Sequence, residues 1–157
     1  MKVTKLNVQE GSAEAVYTET RNGMELDVTA HVPEGPHPDL LTPWKATRKF
    51  FLELLGFTVG ENGDAGENPD DWELRAMRFK HADDYLGVSV TLMRKMPSHT
   101  SALLINTPEW KMKLSGEDEA FPVELRRHLR VILEEAEALC KGKTAQETLQ
   151  LVGGSDG

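Results

Sequence analysis

The sequence predicts an α+β domain, a mainly antiparallel sheet in the order β-β-β-α-β-β-β-α with two helices packed on one face. Three observations carry this. Residues Met24 to Val32 alternate at period two, with Met24, Leu26, Val28, Ala30 and Val32 on one side, the pattern of a strand with one face in the core and one in water. Two other segments, Asp39 to Leu55 and Pro122 to Cys140, space their apolar residues three and four apart, which marks amphipathic helices. Between those helices lie three strand-like runs joined by short polar breaks, and short connections favour antiparallel neighbours.

The elements follow in order. A strand over Val3 to Val8 precedes one over Ala15 to Thr20, which pairs with Met24–Val32 through Asn22-Gly23, a pair suited to the positive φ angles of a type I′ turn. Pro33, Pro36 and Pro38 stop the sheet, since proline donates nothing to a ladder. In the first helix Leu40, Trp44, Thr47, Phe51 and Leu54 or Leu55 share a side, Thr42-Pro43 supplies a cap followed by proline, and Gly56 ends it. Residues 57–71 carry Gly60, Gly63, Gly66, Asn62, Asn68 and Pro69 among many acids, the chemistry of a mobile loop. Strands are then expected at Trp72 to Lys80, Leu86 to Met96 and Ser101 to Thr107, arranged as a meander. The last helix carries Leu125, Leu129, Ile132, Ala136 and Leu139 on one stripe, with Gly142 beyond its end. No internal repeat is visible. Residues 1–143 read as one domain and 144–157 as a tail.

At 157 residues and 39% hydrophobic content the chain is sized for one core, with no need of a metal or disulfide as a staple. A single cysteine, the absence of an apolar leader and of any membrane-length run lead to the expectation of a cytoplasmic protein that meets no membrane. The net charge of −8 excludes a uniformly basic protein. The charge is unevenly placed. Residues 57–73 carry six acids and no base, whereas residues 74–116 carry seven bases against three acids.

Catalytic and metal-binding patterns are sparse, and no cofactor is expected. No Gly-x-Ser-x-Gly turn announces a nucleophile. Cys140 stands near a helix C-terminus, where partial negative charge disfavours a thiolate. The five histidines lack ligand spacing, and the acidic Gly-rich loop misses the EF-hand rule. His37-Pro38-Asp39 stands before a helix, where Pro38 and Asp39 suit helix entry.

Basic residues, in contrast, cluster. Lys45, Arg48 and Lys49 fall on the first helix, Arg126, Arg127 and Arg130 on the last, and Arg75, Arg78, Lys80, Arg94, Lys95, Lys111 and Lys113 on or near the central strands. If several share a face they can track a phosphate backbone, with Trp72, Trp110 or Phe79 as stacking surfaces. The rival reading is a solvated face paired with nearby acids.

The tail holds the most specific pattern. Gln146-x-x-Leu149-x-Leu151 resembles the hexapeptide by which bacterial replication and repair proteins bind the sliding clamp, which implies Gln146, Leu149 and Leu151 as anchors in an extended segment. Thr144-x-x-Glu147 is equally a capping box, so a short helix with Leu149 packed on the domain is the competing expectation.

Taken together, His37-Pro38-Asp39-Leu40-Leu41 entering an aromatic-bearing helix, the strand Val88 to Met96, the run Leu104-Ile105-Asn106-Thr107-Pro108 and a last helix reaching Gly142-Lys143 resemble a family of small phage and prophage proteins encoded among recombination and replication genes. The resemblance spans residues 25–151 and implies an accessory role near DNA metabolism, with no catalytic residues. Family tails often end in a Gln-rich Leu-Phe motif; Leu149-Gln150-Leu151 lacks the phenylalanine, which implies weaker clamp affinity. The expectation is therefore a non-enzymatic phage accessory protein that acts through protein partners in DNA replication or recombination. The alternative is an oligomeric DNA-binding protein using basic helices and strands. An enzyme or metal protein is a third class that no constellation supports.

Overall fold

The computed structural model describes residues 1–9, 11–60, 65–96, 101–118 and 121–142. Strand β1 (Lys2–Gln9) leads through Gly11 into β2 (Ser12–Arg21), and Asn22-Gly23 returns it into β3 (Met24–Val32). Asn22 and Gly23 hold φ of 52° and 77°, the two positive values that a type I′ hairpin requires. After the helices come β4 (Trp72–His81), β5 (Tyr85–Arg94), β6 (Leu103–Asn106) and β7 (Trp110–Lys113). All neighbours are antiparallel, in the order β3-β2-β1-β4-β5-β6, with β7 also on β5.

The expected order lacked one strand. β7 was hidden because the sixth lane of the sheet is split: Asn106 opposes Thr91 and Trp110 opposes Val88, so one extra residue is accommodated around Thr107-Pro108-Glu109. Thr107 bridges the break by accepting from the Val90 amide through its hydroxyl, 2.9 Å, and donating its own amide to Val90 O, 2.9 Å. Pro108, with no N–H, is tolerated at such a bulge on an edge.

The helical layer is α1 (Pro38–Ala46), α2 (Arg48–Leu54) and α3 (Val123–Cys140). The expected first helix is thus broken at Thr47. There the Thr47 hydroxyl donates to Trp44 O at 2.7 Å and Arg48 Nε donates to Lys45 O at 3.0 Å, so two side chains compete with the backbone ladder for its carbonyls. The expected Thr42-Pro43 cap also moves. Helix α1 begins at Pro38, with His37 Nδ1 accepting from the Asp39 amide at 3.1 Å, and Pro43 lies inside.

Pairing places Leu6 opposite Met77 and Met77 opposite Val90, while Phe79 opposes Val88 and Leu86 opposes Met112. These residues form the inner face, all buried against Leu40, Trp44, Phe51 and Leu52 and against the α3 stripe Leu125, Leu129, Ile132, Ala136 and Leu139. Each such side chain contributes about 1.5–3 kcal/mol by leaving water. Polar staples fix the layers to each other: Trp44 Nε1 donates to Leu74 O at 3.0 Å, and Phe51 stacks on Trp110 with centroids 5.7 Å apart. Strand β3 outreaches this layer. Val32 is buried beside the end of α3, but Met24 is 64% and Leu26 36% exposed, so the alternation read from sequence is real while, among the described residues, its outer half has no helix above it.

The sequence shows no repeat, yet the topology does. A meander followed by helix is laid down twice, and the first strands of the two units, β1 and β4, meet antiparallel at the sheet's centre through Lys5↔Arg78, Leu6↔Met77 and Asn7↔Ala76.

Candidate nucleic-acid interface

Alternation along a strand sends every second side chain away from the helices, and here the outward set is mostly polar, with Val16, Ala76, Met93 and Leu104 as apolar members. Among the described residues no helix covers it. Across β1, β4 and β5 one row reads Lys5, Arg78, Ser89. The next reads Lys80, Gly87, Lys111 across β4, β5 and β7, and Lys113 stands beside Tyr85 beyond it. Lys5, Lys80, Lys111 and Lys113 are exposed. Successive outward residues on a strand, such as Arg78 and Lys80, stand about 6.8 Å apart, so the centre of this face carries a compact field of positive charge.

Arg78 is held flat on the sheet: its Nε donates to Ser89 Oγ at 3.1 Å and its Nη1 to Thr91 Oγ1 at 3.0 Å, and Thr91 in turn donates to Asn106 Oδ1 at 2.6 Å. Neutral partners leave its charge uncompensated. Among the described residues the ion pairs involve none of Lys5, Arg78, Lys80, Lys111 and Lys113. Lys111 Nζ lies 4.9 Å from the centroid of the Tyr85 ring. Glu109 is the exception to the field. Its carboxylate lies over Gly87, where a Cβ would come within 2.6 Å of Oε1, between the two lysines of that row. Toward β3 the face turns acidic, with Glu14, Glu25 and Asp27 in register on β2 and β3.

The structure divides the basic residues singled out from sequence. Arg75, Arg78 and Lys80 are on the open face, although Arg75, at a bulge in β4, is engaged by Glu73 at 3.8 Å and Met93 Sδ at 3.2 Å. Lys45, Arg48, Lys49, Arg126, Arg127 and Arg130 are on the helical layer at the opposite side, so helices and strands do not combine into one basic surface. Two of them are fasteners. Arg48 donates to Trp72 O at 2.9 Å and pairs with Asp70 at 3.1 Å; Arg126 donates to Lys113 O and Gly116 O, each at 3.0 Å. Lys49 sits over the Phe50 ring at 5.0 Å. The expected stacking surfaces are core: Trp72 and Phe79 are buried and Trp110 packs on Phe51. Their large apolar area outweighed any use at the surface.

Lys5 was missed because Thr4 makes a bulge against β2 that breaks the alternation of β1; only the pairing with Arg78 shows where it belongs. Lys111 and Lys113 gain their place from β7.

The remaining chemistry is structural. In the acidic loop Glu67 pairs with Arg94 at 3.3 Å and exchanges backbone bonds with Thr58 and Gly60, so residues 65–71 are tied down, contrary to the expected mobile loop. The Cys140 thiol is pushed up to about 11 by burial and then by Glu137. Among the described residues no three of His, Cys, Asp and Glu converge as a metal site, and no helix is long and apolar enough to cross a membrane. An open cleft of about 580 Å³ beside α1 is lined by Lys45, Arg48 and Lys95 and by Glu34 and Glu73, so its charge is mixed. Gln146, Leu149 and Leu151 lie outside the described residues. Comparison with protein-family models, curated proteins and solved structures finds no match.

Proposed function

We propose that this protein is a non-enzymatic accessory factor of phage DNA replication or recombination that binds nucleic acid on the open face of its sheet. One observation supports this above the others: Lys5 on β1, Arg78 and Lys80 on β4, and Lys111 and Lys113 across β5 on β7 share one face, and none of them is in an ion pair among the described residues. Phosphate backbones are bound by such fields, through release of condensed counterions. The field is broad and shallow rather than ridged, and Tyr85 is its aromatic member, which suits a single strand laid across the sheet better than a helix inserted in a groove. The Ser89 hydroxyl, which accepts from Arg78 and keeps its own proton, adds a donor that recognises phosphate without regard to sequence.

Fluorescence anisotropy with a labelled single-stranded oligonucleotide tests this at several salt concentrations. Affinity falls steeply with salt, and the double substitution Lys80→Glu with Lys111→Glu lowers both the affinity and the slope of log K against log salt, by about 0.7 for each phosphate no longer neutralised. Lys45→Glu with Arg130→Glu, on the helical layer, leaves binding unchanged. No binding at low salt, or equal loss from the two pairs, refutes the reading.

A second reading rests on the tail. The last core residue among those described is Leu139, and Gln146, Leu149 and Leu151 follow it with the spacing of a clamp-binding peptide. Removing residues 144–157 then abolishes pull-down of a bacterial sliding clamp while the thermal midpoint stays nearly unchanged; clamp capture undiminished by the deletion refutes it.

A further inference from the structure

The two edges of the sheet differ. One lane is broken by Thr107-Pro108-Glu109 and flanked by lysines, the devices by which proteins blunt an edge against pairing. The other edge is β3, nine residues with an uninterrupted register against β2 and no proline or bulge. Because a two-residue turn makes Arg21 and Met24 a hydrogen-bonded pair, the ladder bonds recur at Leu26, Val28 and Ala30. The amides and carbonyls of Glu25, Asp27, Thr29 and His31 therefore point away from β2. Among the described residues no strand takes them up.

We propose that β3 pairs antiparallel with β3 of a second copy of this chain about a two-fold axis at Val28. The side chains of the strand are self-complementary in that register and argue for this occupant. On the outward face Glu25 comes opposite His31 of the second copy and Asp27 opposite Thr29, so no like charges stand directly opposite each other. On the inward face Met24 comes opposite Val32, Leu26 opposite Ala30, and Val28 opposite itself. Moving the axis to Asp27 sets two carboxylates face to face, which is destabilising. The pairing also answers the exposure of Met24 and Leu26, apolar side chains that the helical layer does not reach. His31 lies 4.0 Å from Glu14 of its own chain, so an imidazole stands among the acids of the outward face at this edge. The inference is independent of the nucleic-acid reading, since the residues involved are on different strands.

Analytical ultracentrifugation of the full chain across the micromolar range tests it. The expected species has twice the 17.5 kDa monomer mass. Glu25→Lys, at an exposed position, weakens association about tenfold by removing the carboxylate that accepts from the His31 imidazole of the second copy. Thr29→Pro removes a donor from the free edge alone and gives a monomer. In a Cys140→Ser background Val28→Cys cross-links on oxidation, as directly opposed non-hydrogen-bonded residues have Cα atoms about 4.5 Å apart. A monomer at every concentration overturns the proposal, whether the edge stays bare or residues 143–157 cover it. So does a dimer that ignores Glu25→Lys and fails to cross-link through Val28→Cys.

Discussion

Gly87 has no side chain, and the Glu109 carboxylate lies where one would project. It sits in the row between Lys80 and Lys111, and on the proposed nucleic-acid reading it is a resident anion that a phosphate must displace. Glu109→Ala therefore tightens binding of a single-stranded oligonucleotide about three- to fivefold, the range of an exposed charge interaction, and anisotropy at fixed salt reads it. Weaker binding would show instead that Glu109 positions the lysines. At this scale the sequence was informative where alternation is clean. Arg78 and Lys80 follow from the pattern of β4, because Met77 and Phe79 must face inward. Lys5 does not, since a bulge at Thr4 intervenes. The bonds of Arg48 and Arg126 were not legible for a general reason: a guanidinium that donates to carbonyls distant in sequence looks, in one dimension, like any surface charge.

Elements were legible by period, and their interruptions were not. The stripe Leu125, Leu129, Ile132, Ala136 and Leu139 of α3 is buried as the sequence expects. The break at Thr47 depends on hydroxyl and guanidinium bonds to two carbonyls, which no periodicity reports. Strand β7 has only four residues and follows Pro108, so it offers too little alternation to stand out. Its position is secured from the helical side, where Arg126 holds Lys113 O and Gly116 O. Arg126→Ala leaves both carbonyls without that donor and costs about 1–3 kcal/mol. Urea denaturation measures this, and because Lys113 belongs to the basic field the same variant also weakens oligonucleotide binding. A change in neither quantity would mean that the loop at residues 113–118 is held by other bonds.

At the scale of the molecule, strand order was beyond the sequence because the central pairing joins residues some seventy positions apart, Lys5 with Arg78, and no local pattern encodes so distant a partner. The segregation of charge into layers follows from that order and was equally hidden. The two β-β-β-α units are interdependent: β1 needs β4 along its inner edge, and α1 packs on α3 of the other unit. A peptide of residues 1–60 consequently lacks a cooperative thermal transition by circular dichroism, since it must expose the inner edge of β1 and the buried side of α1; a sharp transition would show that one unit folds alone. The proline-broken lane beside β5 has a further consequence. A body able to extend its sheet from both sides polymerises without limit, whereas one with a single competent side consumes it in the first encounter. If β3 is the competent side, as proposed above, Pro108 is a chain terminator for assembly: growth stops at a closed pair, and fibres are denied a second point of attachment.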